Sequence, residues 1–269
     1  MKSRIISAIA LGVATVFAAQ SAMAEESQAE LAKKSLNPVA SLISLPLKVD
    51  YDHNIGPLEQ GDKYQLTIQP VIPFSIGTDW NLISRTLVPV ISQEDVAPGA
   101  GTQSGIGNVT AQLYFSPKAP TAAGWIWGVG PQALLRTGGD NLATEKWGLG
   151  PTGVALKQEN GWTYGALANH MWSVGGSSHA KDISASYLQP FLSYTTPHFT
   201  TYGVNTESTY NWKTSQWSVP VNLFVQQLLK IGGQPLILQA GVRYWADTPK
   251  GIGPEGWGFR FQATFLFPK

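Results

Sequence analysis

The chain of 269 residues contains no cysteine. That excludes a disulfide scaffold, a thiol nucleophile and a Cys-based metal site in one step. Charge is scarce too: Asp, Glu, Lys and Arg make up 13% of the residues, against about 25% in ordinary soluble domains. A water-facing surface is undersupplied, so something other than water is expected to cover part of it. Lys plus Arg number 18 against 17 Asp plus Glu, which leaves no basic excess and gives no reason to expect a nucleic-acid partner. Beyond the N-terminus, no apolar run reaches the roughly 20 residues a membrane-spanning helix needs.

The one long apolar run opens the chain. In "MKSRIISAIALGVATVFAAQSAMAEE", Lys2 and Arg4 precede apolar residues from Ile5 to Ala19, and Ala22-Met23-Ala24 follows. This is the layout of a secretory signal peptide, residues 1–24, with cleavage by signal peptidase expected after Ala24. Its removal leaves 245 residues with 16 Lys plus Arg, 17 Asp plus Glu and a formal charge of −1. The polar stretch "EESQAELAKKS" reads as a flexible or helical N-terminal arm over 25–36, and residues 37–269 as a single domain.

That domain divides into about twelve segments, most of roughly 10 to 13 residues, the length of tilted strands that cross a bilayer. They are 40–53, 64–74, 80–91, 105–115, 124–136, 146–157, 161–172, 184–195, 199–210, 216–228, 235–245 and 256–267. Several alternate with period two: in "NVTAQLYF", Val109, Ala111, Leu113 and Phe115 oppose Asn108, Thr110, Gln112 and Tyr114. Connectors alternate as well. Tight ones such as "QENG" and "KIGGQ" take turns with longer polar ones such as "SQEDVAPGAGTQS" and "RTGGDNLATEK". The predicted fold is an all-β, antiparallel transmembrane β-barrel of outer-membrane type, with short periplasmic turns and both termini in the periplasm.

All ten tryptophans lie at or near segment ends. Trp80, Trp125, Trp147, Trp162, Trp172, Trp217, Trp245 and Trp257 are the candidates for aromatic girdles at headgroup depth. The last segment, "GWGFRFQATFLFPK", places Phe259, Phe261, Phe265 and Phe267 toward lipid and Arg260, Gln262 and Thr264 toward a lumen. Such a terminal strand suits the barrel-assembly machinery. Outer-membrane lipids and lipopolysaccharide are the expected surroundings, and a small-molecule solute the expected cargo.

Candidate chemistry is sparse. Of four histidines, His53, His179 and His198 read as loop or turn residues, and His170 points away from nearby Ser173 because their separation in a strand is odd. No catalytic residue, metal ligand or cofactor is expected, and no enzyme activity. "WGVGP" at 127–131 and "WGLGP" at 147–151 are not phosphate loops, since no Gly-Lys-Ser/Thr follows; they read as two strands of one hairpin. Pro70, Pro89, Pro131, Pro151, Pro190 and Pro220 fall inside segments, where they imply bulges or a lateral opening. The lumen candidates are Asp50, Arg85, Glu207, Gln239, Arg243, Arg260 and Gln262, as a solute-selecting constriction or an ion-paired plug.

The stretches "IQPVIPFSIGTDWNLISRTLVPVI", "EKWGLGPTGVALKQENGWTYGALANHMWSV", "NTESTYNW", "GVRYWAD" and "GPEGWGFRFQATFLFPK" carry a likeness over nearly the whole mature chain. It resembles bacterial outer-membrane transporter proteins related to the meta-pathway phenol-degradation family, some of them mislabelled neuromedin U. The resemblance implies a Gram-negative outer-membrane barrel moving small, often hydrophobic or aromatic, compounds. A lipid-modifying enzyme and a closed structural barrel are the alternatives.

Overall fold

The structure, a computed structural model, describes residues 28–139 and 141–268. The expected signal peptide lies outside the described residues. One helix, α1 (Gln28–Ser35), precedes β1 (Ile43–Ile55), β2 (Gly61–Ile68), β3 (Val71–Ile76), β4 (Trp80–Glu94), β5 (Thr102–Ile106), β6 (Val109–Pro117), β7 (Trp125–Leu135) and β8 (Lys146–Glu159). There follow β9 (Trp162–Gly176), β10 (Ser184–Thr195), β11 (Thr200–Thr206), β12 (Ser208–Asn211), β13 (Gln216–Ile231), β14 (Gln234–Asp247) and β15 (Gly256–Phe267). The pairs β2/β3, β5/β6 and β11/β12 each continue one line, so these segments form the twelve staves of a closed antiparallel barrel, sealed by β1 against β15.

The short turns follow from their residues. Asn160-Gly161 and Gly232-Gly233 join hairpins with two central residues at positive φ, 50° and 81° in the first and 56° and 88° in the second. This is the geometry whose twist matches paired strands, and Asn-Gly and Gly-Gly adopt it at low cost. Both turns lie at the end of the barrel that also holds the two chain termini, which the rule of short periplasmic turns makes the periplasmic end.

Prolines mark the places where a stave breaks. Pro70 sits in the gap between β2 and β3 and accepts from Thr86 N–H at 3.1 Å; Pro89 accepts from Gly107 at the β5/β6 gap at 2.8 Å; Pro220 accepts from Glu207 at the β11/β12 gap at 3.3 Å. Each missing donor interrupts a ladder for one to three residues, and pairing resumes on both sides. Pro131 and Pro151 face each other in the β7–β8 hairpin, and the expected shared hairpin of the two Trp-Gly motifs is found there. A side chain at Gly130 would run into the Leu113 carbonyl, and one at Gly150 into the His170 carbonyl. Close backbone approach explains both glycines.

The outward face is apolar, with Phe259 and Phe261 each about 60% exposed. Trp80, Trp125 and Trp162 ring the periplasmic end, and Trp147, Trp172, Trp212, Trp217 and Trp257 the other, all exposed. Trp245 departs from the girdle expectation. It turns into the lumen, where its Nε1–H donates to Asp52 Oδ1 at 2.8 Å. His53 lies within β1, beside Tyr51, rather than in a loop.

The inner face is polar only in part. Toward the periplasm it carries Val71, Ile83, Tyr114, Leu156 and Leu167 packed with Val39, and Leu228, Ile237 and Leu266 packed with Leu31, Ala32 and Leu42. Here the lumen meets chain instead of water. The stretch expected as a flexible or helical arm is, in its described part, a helix docked on the barrel. Its Glu30 and Lys33/Lys34 suit the helix dipole, and Gln158 Nε2 donates to the Lys33 carbonyl at 2.8 Å. Replacing Leu31 by Ala should cost about 2–5 kcal/mol of docking, raising the undocked fraction about 30-fold or more. Trypsin cleavage after Lys33 and Lys34 in the folded barrel measures it, and equal rates in both proteins would mean that α1 is not held.

Candidate functional site: the charged layer of the lumen

Above the apolar half, alternation on β1 aims Lys48, Asp50 and Asp52 inward, opposite Thr67, Gln65 and Lys63 of β2. Across the closing seam Asp50 lies directly opposite Arg260, and on the far side of β15 Arg260 faces Gly241. A side chain at Gly241 would run into the Leu223 carbonyl at 2.6 Å. Arg260 Nε and NH2 donate to both Asp50 oxygens at 2.6 and 3.2 Å, a bidentate fork. Its NH1 and NH2 also reach Glu207 at 3.0 and 2.7 Å. Glu207 occupies the β11/β12 gap, so the break that Pro220 enforces sits beside the carboxylate the arginine needs.

Arg243 enters the same layer from β14. It stands 3.4 Å from Asp50 and from Asp52, and stacks over the Trp245 ring at 4.7 Å. Lys48 closes the group, 3.3 Å from Glu207 and 3.4 Å from Asp50. Asp50 and Arg260 are 3% exposed and Arg243 7%, so solvent screens these pairs little. Gln239 and Gln262 line the wall on the periplasmic side of this layer, Gln262 donating to Thr264 at 2.9 Å. The structure thus brings Asp50, Glu207, Arg243 and Arg260 into one network.

Arg85 stands apart from that network. On β4 it is held by two amides, donating to Gln112 at 3.3 Å and Gln69 at 3.2 Å. Gln112 continues to Gln132, and Tyr114 to Thr152, forming a polar ladder across β6, β7 and β8. Between the charged layer and residues 34–42 lies a cavity of about 220 Å³, with Arg85, Lys48, Gln189 and Gln239 among its polar walls.

Sequence reasoning passed over Lys48, Asp52, Lys63 and Trp245. The alternation "KVDYD" carried the signal for two of them, since Lys48 and Asp52 share a face with Asp50. It also passed over Ser186, whose hydroxyl is 2.8 Å from His170 Nδ1 on the outer wall; Ser184 is 3.4 Å from Nε2, and Trp212 Nε1–H donates to Ser186 at 2.9 Å. Ser173 instead donates to Asp182. That loop carboxyl is held below the usual range chiefly by its hydrogen bond from Lys146. Among the described residues, no group of three or more His, Asp or Glu is arranged to hold a metal.

In fold the chain is similar to the COG4313 outer membrane channel from Pseudomonas putida, at 13% identity and a TM-score of 0.65, over 84% of this chain and 96% of that one. The β domain of the Bordetella autotransporter BrkA matches at 11% identity and a TM-score of 0.47, over 84% of this chain and 100% of that one. Phospholipase A of the Escherichia coli outer membrane matches at 13% identity and a TM-score of 0.47, over 85% of this chain and 90% of that one. No protein-family profile and no curated protein matches the chain. The first likeness agrees with the topology: the fold is an outer-membrane β-barrel.

Removing one member of a buried ion network strands the others. Arg260→Gln leaves Asp50 and Glu207 buried with weaker partners, and should cost about 3–5 kcal/mol. Asp50→Asn/Arg260→Gln removes one charge of each sign, leaves Glu207 to Lys48 and Asp52 to Arg243, and should cost less than the single change. Urea unfolding of the barrel in lipid vesicles measures both, and a double variant weaker than the single one would overturn this account.

Proposed function

We propose that the chain is an outer-membrane channel for passive movement of small solutes, hydrophobic or aromatic ones among them, shown here in a closed state. The observation that carries this reading is the arrangement of the lumen. An internal cavity lies between two closures, a layer of charged side chains on one side and residues 34–42 on the other, and neither is strand backbone. Side chains and a tethered segment can move while the strand ladders stay paired. A purely structural barrel has no need of a cavity walled by Arg85, Lys48 and glutamines.

The fold likeness to a channel supports the reading, as does the resemblance to phenol-pathway transporters for the choice of cargo. Apolar cargo needs an apolar approach. The outer wall supplies one candidate, a groove floored by Pro131 and Pro151 and flanked by Leu149, Trp172 and Val174, where the ladders to neighbouring strands are interrupted.

In planar bilayers the mature protein should give small conductance steps. Deleting 25–36 should enlarge them by removing the helix from the mouth, and Arg243→Gln/Arg260→Gln should change their ion selectivity. Silence from all three proteins, each shown to be folded, would sink the channel reading.

A second reading, an enzyme acting on outer-leaflet lipid, has one observation in its favour. The Ser186 hydroxyl is within hydrogen-bond reach of His170 on the lipid-facing wall, as a nucleophile and base must be. Among the described residues, His170 has Ser184 on its other nitrogen and no carboxylate or amide to orient the ring. Hydrolysis of labelled phospholipid by the pure protein, lost in Ser186→Ala, would move the assignment to this class; no hydrolysis is expected.

A further inference from the structure

We propose that the luminal cavity is a binding site for small amphipathic monoanions, carboxylates with an apolar body, and that Arg85 is the residue that recognises the carboxylate. The charge inventory of the lumen leads to it. Lys48, Lys63, Arg85, Arg243 and Arg260 face three carboxylates, Asp50, Asp52 and Glu207. The three acids serve Arg260, Arg243 and Lys48 at 2.6 to 3.4 Å, and Lys63 stands opposite Asp52 on the neighbouring strand. Among the described residues Arg85 has no carboxylate partner: its NH1 and NH2 meet amide oxygens, and its buried Nε meets nothing.

Arg85 is half-buried, and a guanidinium drawn partly out of water is costly in proportion to its burial unless a negative charge accompanies it. Amide oxygens are the weaker acceptors, and a carboxylate is the partner whose planar pair of oxygens fits the guanidinium fork. The cavity beside Arg85 gives such a group somewhere to sit. Its remaining walls set the rest of the ligand. Val71, Leu167, Phe191, Phe224 and Ile237 offer apolar contact, while Gln69 and Gln189 stand among the polar walls. Glu207 also faces the cavity, but its oxygens are taken by Arg260 and Lys48. A ligand with one negative end and a compact aromatic or short aliphatic body meets both kinds of wall. A neutral hydrocarbon leaves Arg85 as it is, and a strongly hydrated dianion loses more water than one guanidinium replaces.

As a statement about cargo the proposal rests on the channel reading, but the site is testable without transport. Benzoate and its neutral isostere benzamide are titrated calorimetrically into the full mature protein in lipid nanodiscs. Benzoate should bind at least about tenfold more tightly than benzamide, the scale of one charge-assisted hydrogen bond. Arg85→Gln should remove that preference. Gln112→Glu keeps the guanidinium but gives it an internal carboxylate, and should weaken benzoate by a similar factor without harming benzamide. Equal binding of the two probes by the wild-type protein, or benzoate binding unchanged in both variants, would overturn the proposal. Benzoate binding in a barrel that never conducts would instead remove the channel reading and leave the site standing. Conductance without benzoate preference would do the reverse.

Discussion

Asp50 and Arg260 meet across the seam where the chain's first strand closes on its last, and the layered lumen is organised around that contact. Register along β1 and β15 places the two residues opposite one another, so the fork between them forms only when the barrel is closed in the right pairing. A slip of β15 by one residue would turn Arg260 toward lipid and the phenylalanines of β15 into the lumen, leaving Asp50 without its partner. The pair therefore opposes wrong registers more than it adds stability, since a buried ion pair returns little beyond its desolvation cost.

From that seam the lumen divides by what each layer meets. Where inward side chains meet other strands across the bore, they are charged and amide groups satisfying each other, from Asp50–Arg260–Glu207 to Gln112–Gln132. Where they meet residues 28–42, they are Ile83, Leu156, Leu228 and Leu266, because the neighbour is an apolar segment. The boundary between these layers is the cavity, where a polar wall and an apolar wall face the same space.

Most of the wall was legible because period-two alternation, Asn-Gly and Gly-Gly turns and tryptophans near strand ends all follow from a barrel's contact with lipid and water. The staves at 184–195 and 256–267 fall where the pattern places them. Trp245 was legible but misplaced: it sits at a strand end like the girdle residues, yet alternation puts it on the face of Arg243 two residues earlier, and Asp52 accepts its N–H inside the lumen. Two things were not legible. The inner apolar patch looked like noise in the alternation, since nothing in β4, β8 or β9 says that a distant segment will cover Ile83, Leu156 and Leu167. The docking of α1 was hidden for the complementary reason: "QAELAKKS" is polar enough to stand in water, and only Leu31 and Ala32 are buried. Glu207 and Arg85 were visible as charges, but their different surroundings, one neutralised and one not, depend on which staves close around them.

The division between wall and closure has a further physical consequence. The wall is held by ladders running the length of every neighbouring pair of staves, and these break for only one to three residues at each proline. The closures are held by a handful of side chains and by a segment that leads into the start of β1. Opening the lumen therefore costs the burial of Leu31, Leu42 and Val39 and a rearrangement of ion pairs, while the wall's hydrogen bonds persist. Local opening of this kind draws on the least stable part of a structure and leaves the rest folded. A barrel built from such separable layers can admit a solute to its centre without exposing a strand edge to the membrane.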